Sequence, residues 1–177
     1  MLYFILFLFT IYLSSRGHLM YENITGVAQI AQYHNIVIIY TIFSACFFAY
    51  KMLKIYKHLP LSNQKIYQII IILTALCMSI GSLFPYMTNG TDISSKLHVY
   101  CSMISCLSFL ILLWIYTRHL SIYFPDIYVK IHWFYDISLQ FIAILIIVFT
   151  RVNGYIEILF SFIVCTYLYM IEKNLLI

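Results

Sequence analysis

Apolar residues run along this chain in long blocks separated by short polar interruptions. The runs 66–86, 97–117, 131–150 and 155–171 are each long enough to form a membrane-crossing helix, which needs about 20 mostly apolar residues. A fifth, 35–53, is interrupted only by Lys51 near its end, where a lysine can lay its methylene stem along the helix and lift its ammonium to the headgroups. The first run, MLYFILFLFTIYL, reaches span length only by continuing to Met20, over 1–20. The pattern predicts an all-α, polytopic bundle of six transmembrane helices forming a single domain over 1–177. The alternative treats the first run as a cleaved signal segment and leaves five spans. The missing basic start and the unsuitable cut region YLSSR argue against it.

Composition agrees with a membrane solvent. The 177 residues are 64% hydrophobic and 9% charged, with a mean hydropathy of +0.95. Soluble domains carry about 25% charged residues. The five cysteines, Cys46, Cys77, Cys101, Cys106 and Cys165, all lie inside apolar runs, where they read as small packing residues and not as a disulfide framework.

Lysine and arginine set the expected sidedness. With the N-terminus inside, the inner segments carry Lys51, Lys54, Lys57, Lys65, Arg118, Lys130 and Lys173, against Arg16, Lys96 and Arg151 outside. Seven against three places both termini in the cytoplasm. The sequons at Asn23 (NIT) and Asn89 (NGT) then fall in outer loops, which makes both glycosylation candidates if the source is eukaryotic.

Polar residues within spans cost about 2.5–3.5 kcal/mol each when charged and central, so each needs a partner or a cavity. His132, Asp136 and Gln140 recur every four residues and form one stripe on the fifth span. The plain reading is an interhelical hydrogen-bond seam, and the functional one a proton or headgroup site. His34, His98 and Glu157 open spans two, four and six at the outer side, with Arg151 and Asp92 in the neighbouring loops. If the bundle gathers these ends, His34, His98, Arg151 and Glu157 make a ligand-binding cluster. Read as chemistry, His98 is a candidate general base and Glu157 its orienting acid, but Ser94 is a poor nucleophile without a complete triad. A haem reading could pair His34 with His98, while His58 and His119 fall in loops and His132 lacks a clear partner. No clustered Cys/His spacing suits zinc, and no Gly-rich phosphate loop or basic aromatic patch suits nucleotides or nucleic acid.

The segment SIGSLFPY, a short polar loop, and then KLH opening a helix resemble the third-to-fourth span region of the Frag/DRAM/Sfk superfamily. These six-span proteins include damage-regulated autophagy modulators and a GPI-anchor remodelling factor. Ser79, Gly81, Phe84 and His98 stand at the motif positions, and Glu157 stands where that family has an acidic residue opening its last span. A bacterial six-span family of similar size looks much the same here. Where the autophagy modulators carry a PYISDTG-like segment, this chain has ENITGVAQIA. The resemblance implies a non-enzymatic membrane modulator in lipid or autophagy regulation, with no cofactor. Its expected partners are membrane lipids and other membrane proteins, in an endomembrane (lysosome or Golgi) or plasma membrane, or in the cytoplasmic membrane of a bacterium. A lipid- or GPI-anchor-remodelling enzyme using His98 and Glu157 is the second expectation, and a haem-binding redox protein the third.

Overall fold

The structure, a computed structural model, describes residues 1–86, 92–150 and 152–175. Asn89 and Arg151 therefore lie outside the described residues. Among those described, the secondary structure is helical throughout: α1 (Leu2–Ser14), α2 (Ile24–Val27), α3 (His34–Tyr56), α4 (Gln64–Leu83), α5 (Ile93–Tyr123), α6 (Pro125–Phe149) and α7 (Gly154–Leu175). Five of these, α3 to α7, are long and apolar enough to cross a membrane. Large apolar side chains stand exposed along all five: Ile39 on α3, Leu73 on α4, Leu107 on α5, Ile147 on α6 and Tyr169 on α7. Ile147 is 75% exposed. Apolar surface on this scale requires a lipid solvent, so the chain is an integral membrane protein.

The first helix departs from the expected span over 1–20. It has 13 residues, a rise of about 20 Å, because Ser14, Ser15, Arg16 and Gly17 break the apolar run. Two other elements exceed their predicted bounds. α5 and α6 extend through the expected inner segment until Phe124 alone separates them. Pro125 sits at the first helical position of α6, where its fixed φ suits the helix and its missing N–H costs nothing. α5 has 31 residues, about 46 Å, so its ends outreach a hydrocarbon core of about 30 Å.

The helices divide into two compact units, Met1–Tyr33 with Asp126–Ile177, and His34–Pro125. In the first, α1 runs antiparallel to α7. The Tyr3 hydroxyl donates to Glu172 Oε2 at 3.0 Å, Thr10 and Ser161 share a hydroxyl hydrogen bond of 2.8 Å, and Phe7 packs on Phe162. α6 joins through Tyr135 against Tyr167. In the second, α4 packs against both α3 and α5. Gly81 makes the α4–α5 contact possible, since a Cβ there would lie 2.8 Å from Cys101 Cβ.

Candidate functional site

His98 is a half-buried residue in the second turn of α5. Its Nδ1 lies 2.9 Å from the Gly81 carbonyl oxygen and 3.1 Å from that of Phe84. Carbonyls only accept, so Nδ1 carries the hydrogen, and in the neutral ring Nε2 carries the lone pair. The last carbonyls of a helix have no intrahelical donor. The Gly81 carbonyl already accepts from the Phe84 amide at 3.2 Å; the imidazole adds a donor to it and to the Phe84 carbonyl from the neighbouring helix, and so ties the end of α4 to the start of α5. The Tyr86 ring packs on it at 5.7 Å. Asp92 fixes the same helix start as its N-cap, accepting from the Ser95 amide at 2.9 Å and the Ser95 hydroxyl at 2.6 Å. The Ser95 hydroxyl, and then the Ser95 amide, hold this carboxyl below its usual range.

Glu157 belongs to the other unit. It stands on the first turn of α7, and its Oε2 accepts from the Ile24 amide at 2.6 Å, at the start of α2. The surrounding bonds all tie the segment after α1 to the start of α7. The Gly154 amide donates to the Glu22 carbonyl at 2.8 Å, and the Asn153 side chain donates to the Met20 carbonyl at 3.4 Å. Asn153 is fully buried and also caps α7, accepting from the Ile156 amide at 3.1 Å. Gly154 lets the loop backbone approach, because a Cβ there would sit 2.9 Å from Leu19 Cδ2 and 3.3 Å from the Leu19 backbone. Within this loop the Glu22 carboxylate accepts from the His18 amide at 2.7 Å.

Of the residues expected at the outer ends, His34 and His98 belong to one unit and Glu157 to the other. His34 is the half-buried first residue of α3. Asn23, a sequon residue, is the N-cap of α2 and accepts from the Gly26 amide at 2.9 Å.

The polar stripe of α6 lies beside that helix's buried seam of Ile131, Tyr135, Ser138 and Ile142. His132 and Asp136 are half-buried and Gln140 is exposed. His132 stacks on Tyr128 at 4.3 Å and donates from Nδ1 to the Tyr128 carbonyl at 2.8 Å, so this bond stays within its own helix. Among the described residues no three His, Cys, Asp or Glu side chains form a group able to hold a metal.

No family model, curated protein or solved structure matches the chain. The site must therefore be read from its own geometry.

Sequence reasoning missed Glu22 and Asn153, whose backbone-serving bonds join segments far apart in the chain. The Asn-Gly pair before α7 was a usable signal, since Asn at a helix start is a strong cap. It also missed an aromatic cluster at the opposite end of the His34–Pro125 unit. There the Tyr56 hydroxyl donates to the Leu112 carbonyl at 2.7 Å, Tyr56 packs on Tyr67 and Tyr116, and the Tyr67 hydroxyl lies 3.4 Å from His119 Nε2.

Proposed function

We propose that this chain is a non-enzymatic, multi-pass membrane modulator of the kind its SIGSLFPY and KLH motifs resemble, acting in lipid or autophagy regulation. In this reading it has six passes, both termini face the cytoplasm, and the outer helix ends present a surface to a lipid headgroup. The observation that carries it is the use made of His98, whose Nδ1 hydrogen serves two main-chain carbonyls. Glu157 likewise spends an oxygen on a main-chain amide. Both residues build the shape of helix ends, as a modulator requires. The six-pass count is supported by the antiparallel pairing of α1 with α7, in which Tyr3 reaches Glu172. α1 thereby runs beside the stretch of α7 from Ser161 to Glu172.

A remodelling enzyme is the second reading, favoured by one detail. A histidine held through Nδ1–H has its lone pair on Nε2, the arrangement a general base needs.

Mass spectrometry of lipids copurifying in mild detergent, wild type against His98→Ala, tests both. A single lipid class retained by the wild type and lost from a folded variant is the expected result. The same mixed lipids in both would overturn the headgroup reading. Conversion of an added phospholipid by the wild type but not by the variant would replace the modulator with the enzyme.

A further inference from the structure

Cys77 and Cys101, 24 residues apart in the chain, meet between α4 and α5. The Cys77 thiol donates to the Cys101 carbonyl at 3.6 Å, and the two thiols lie close enough to interact directly. The approach has a cause in the sequence. Gly81 follows Cys77 by one helical turn, and its missing side chain admits α5 so far that a Cβ there would lie 2.8 Å from Cys101 Cβ. Both cysteines are free thiols. The other three are placed differently. Cys46 is exposed on α3, and Cys165 is buried in the other unit. Cys106 stands five residues beyond Cys101, a spacing that turns it to another face of α5.

Packing asks only for two small side chains at this contact, and alanine would serve. Two facing thiols add a chemistry that alanine lacks, the two-electron oxidation to a disulfide. Access decides which oxidant fits. Both cysteines are half-buried, and their sequence neighbours Leu76, Ile80, Tyr100 and Ile104 are exposed on the apolar surface that lipid covers. A reactant reaches the pair through acyl chains and not through water. A hydroperoxide carried on an apolar chain meets that condition.

We infer that Cys77 and Cys101 form an oxidation site at which a lipid hydroperoxide converts two thiols into one disulfide joining α4 to α5. In the first step one sulfur attacks the terminal peroxide oxygen and the O–O bond breaks. The thiol proton passes to the departing alkoxide, leaving a sulfenic acid and a lipid alcohol. In the second step the facing thiol attacks the sulfenic sulfur and the S–O bond breaks. Hydroxide departs with that thiol's proton as water. The two sulfurs have lost two electrons, and the hydroperoxide has gained them. The new bond lies beside the His98–Gly81 contact, since His98 is one turn before Cys101 and Gly81 one turn after Cys77. Oxidation thus fastens the two helices that His98 already ties. The inference stands independently of the headgroup and enzyme readings above.

The test treats the full chain in phosphatidylcholine nanodiscs with cumene hydroperoxide as the lipid-soluble probe. The unreduced chain is weighed, its remaining thiols are capped with N-ethylmaleimide, and it is digested for peptide mass spectrometry. Wild type should lose about 2 Da, the mass of the two thiol hydrogens, and yield a linked peptide joining Cys77 to Cys101. Cys46, Cys106 and Cys165 should be recovered capped, and dithiothreitol should reverse the link. Hydrogen peroxide at equal concentration in the water phase should form it more slowly. Cys77→Ser should abolish the link and leave Cys101 as a sulfenic acid that dimedone traps, while Cys46→Ser should leave the link unchanged. The wild-type measurement needs no variant to fold. Oxidation of either cysteine to a sulfinic acid without a link would overturn the inference, as would a disulfide from Cys101 to Cys106 or between two chains through Cys46. A link formed as fast by aqueous peroxide as by the lipid-soluble probe would overturn the lipid hydroperoxide as its source.

Discussion

His98 and Glu157 solve the same problem with opposite chemistry. At the junction of α4 and α5 the groups served are helix-terminal carbonyls, and the side chain that meets them is a donor. At the junction of α2 and α7 the unsatisfied group is an amide, and the side chain that meets it is an acceptor. The two junctions also share a device: each has a glycine that lets two backbones close, Gly81 at Cys101 and Gly154 at Leu19. Polar residues near the ends of membrane helices are thus explained first by the main chain they serve. In lipid every backbone group must be satisfied within the protein.

The comparison breaks most sharply at the glycines. Gly154→Val should destabilise the first unit by about 3 kcal/mol, the upper part of the range for overpacking, because three added carbons would press on the Leu19 backbone, 3.3 Å from the Cβ position, as well as on the Leu19 side-chain tip at 2.9 Å. Gly81→Ala should cost less, about 1–2 kcal/mol, because alanine adds one methyl group where valine adds three carbons, although its Cβ would meet Cys101 Cβ at 2.8 Å. Thermal unfolding in detergent checks both, and an equal or reversed order would refute this account of the two close approaches.

Next come the side chains. Glu157→Leu leaves the Ile24 amide without its acceptor and should cost about 1–3 kcal/mol, with Glu157→Gln between it and wild type. Its signature is local: faster amide exchange at Ile24 and in the segment after α1. His98→Ala should cost about 1–2 kcal/mol, with faster exchange confined to the end of α4 and the start of α5. If either variant loosened both regions equally, the junctions would not be independent.

The smallest effect is one of pH. Hydrogen bonds from Ser95 lower the Asp92 carboxyl in the folded state. Its stabilising contribution is therefore complete above its usual pKa near 3.8 and lost as pH falls through the lower folded value. Asp92→Asn, which can still accept as a cap, should flatten this acid limb with little change at neutral pH. An unchanged acid limb would refute the role given to the cap.

Much of the helical framework was legible in hydropathy because a membrane span is a long and simple signal. The runs that became α3 and α4 lie close to their predicted bounds. The C-terminal end of α5 and the N-terminal end of α6 were not legible, since their mixed sequences RHLSIY and PDIYVK suit a loop or an interfacial helix equally by composition. Choosing between them depends on Pro125 entering a helix directly. His98 and Glu157 stood out as polar residues at span ends, but their partners did not. A main-chain carbonyl or amide leaves no mark in the sequence, and the loop that meets Glu157 lies 133 residues away in the chain. Periodicity also placed His132, Asp136 and Gln140 on one stripe correctly. It could not show that the buried seam of α6 runs one residue to the side, through Ile131 and Tyr135.

The shortness of α1 has a consequence for the surrounding bilayer. Its 13 residues cover about 20 Å, against about 27 Å of hydrocarbon in a thin membrane and 32–33 Å in a sterol-rich one. If α1 is the sixth pass, as proposed above, the lipid beside it dimples inward, and the energy of that deformation grows with every ångström of thickness. A thin bilayer would then cost the six-pass protein less than a thick one. In the six-pass reading proposed above, the helix that looks least like a span would thus act as a gauge of bilayer thickness.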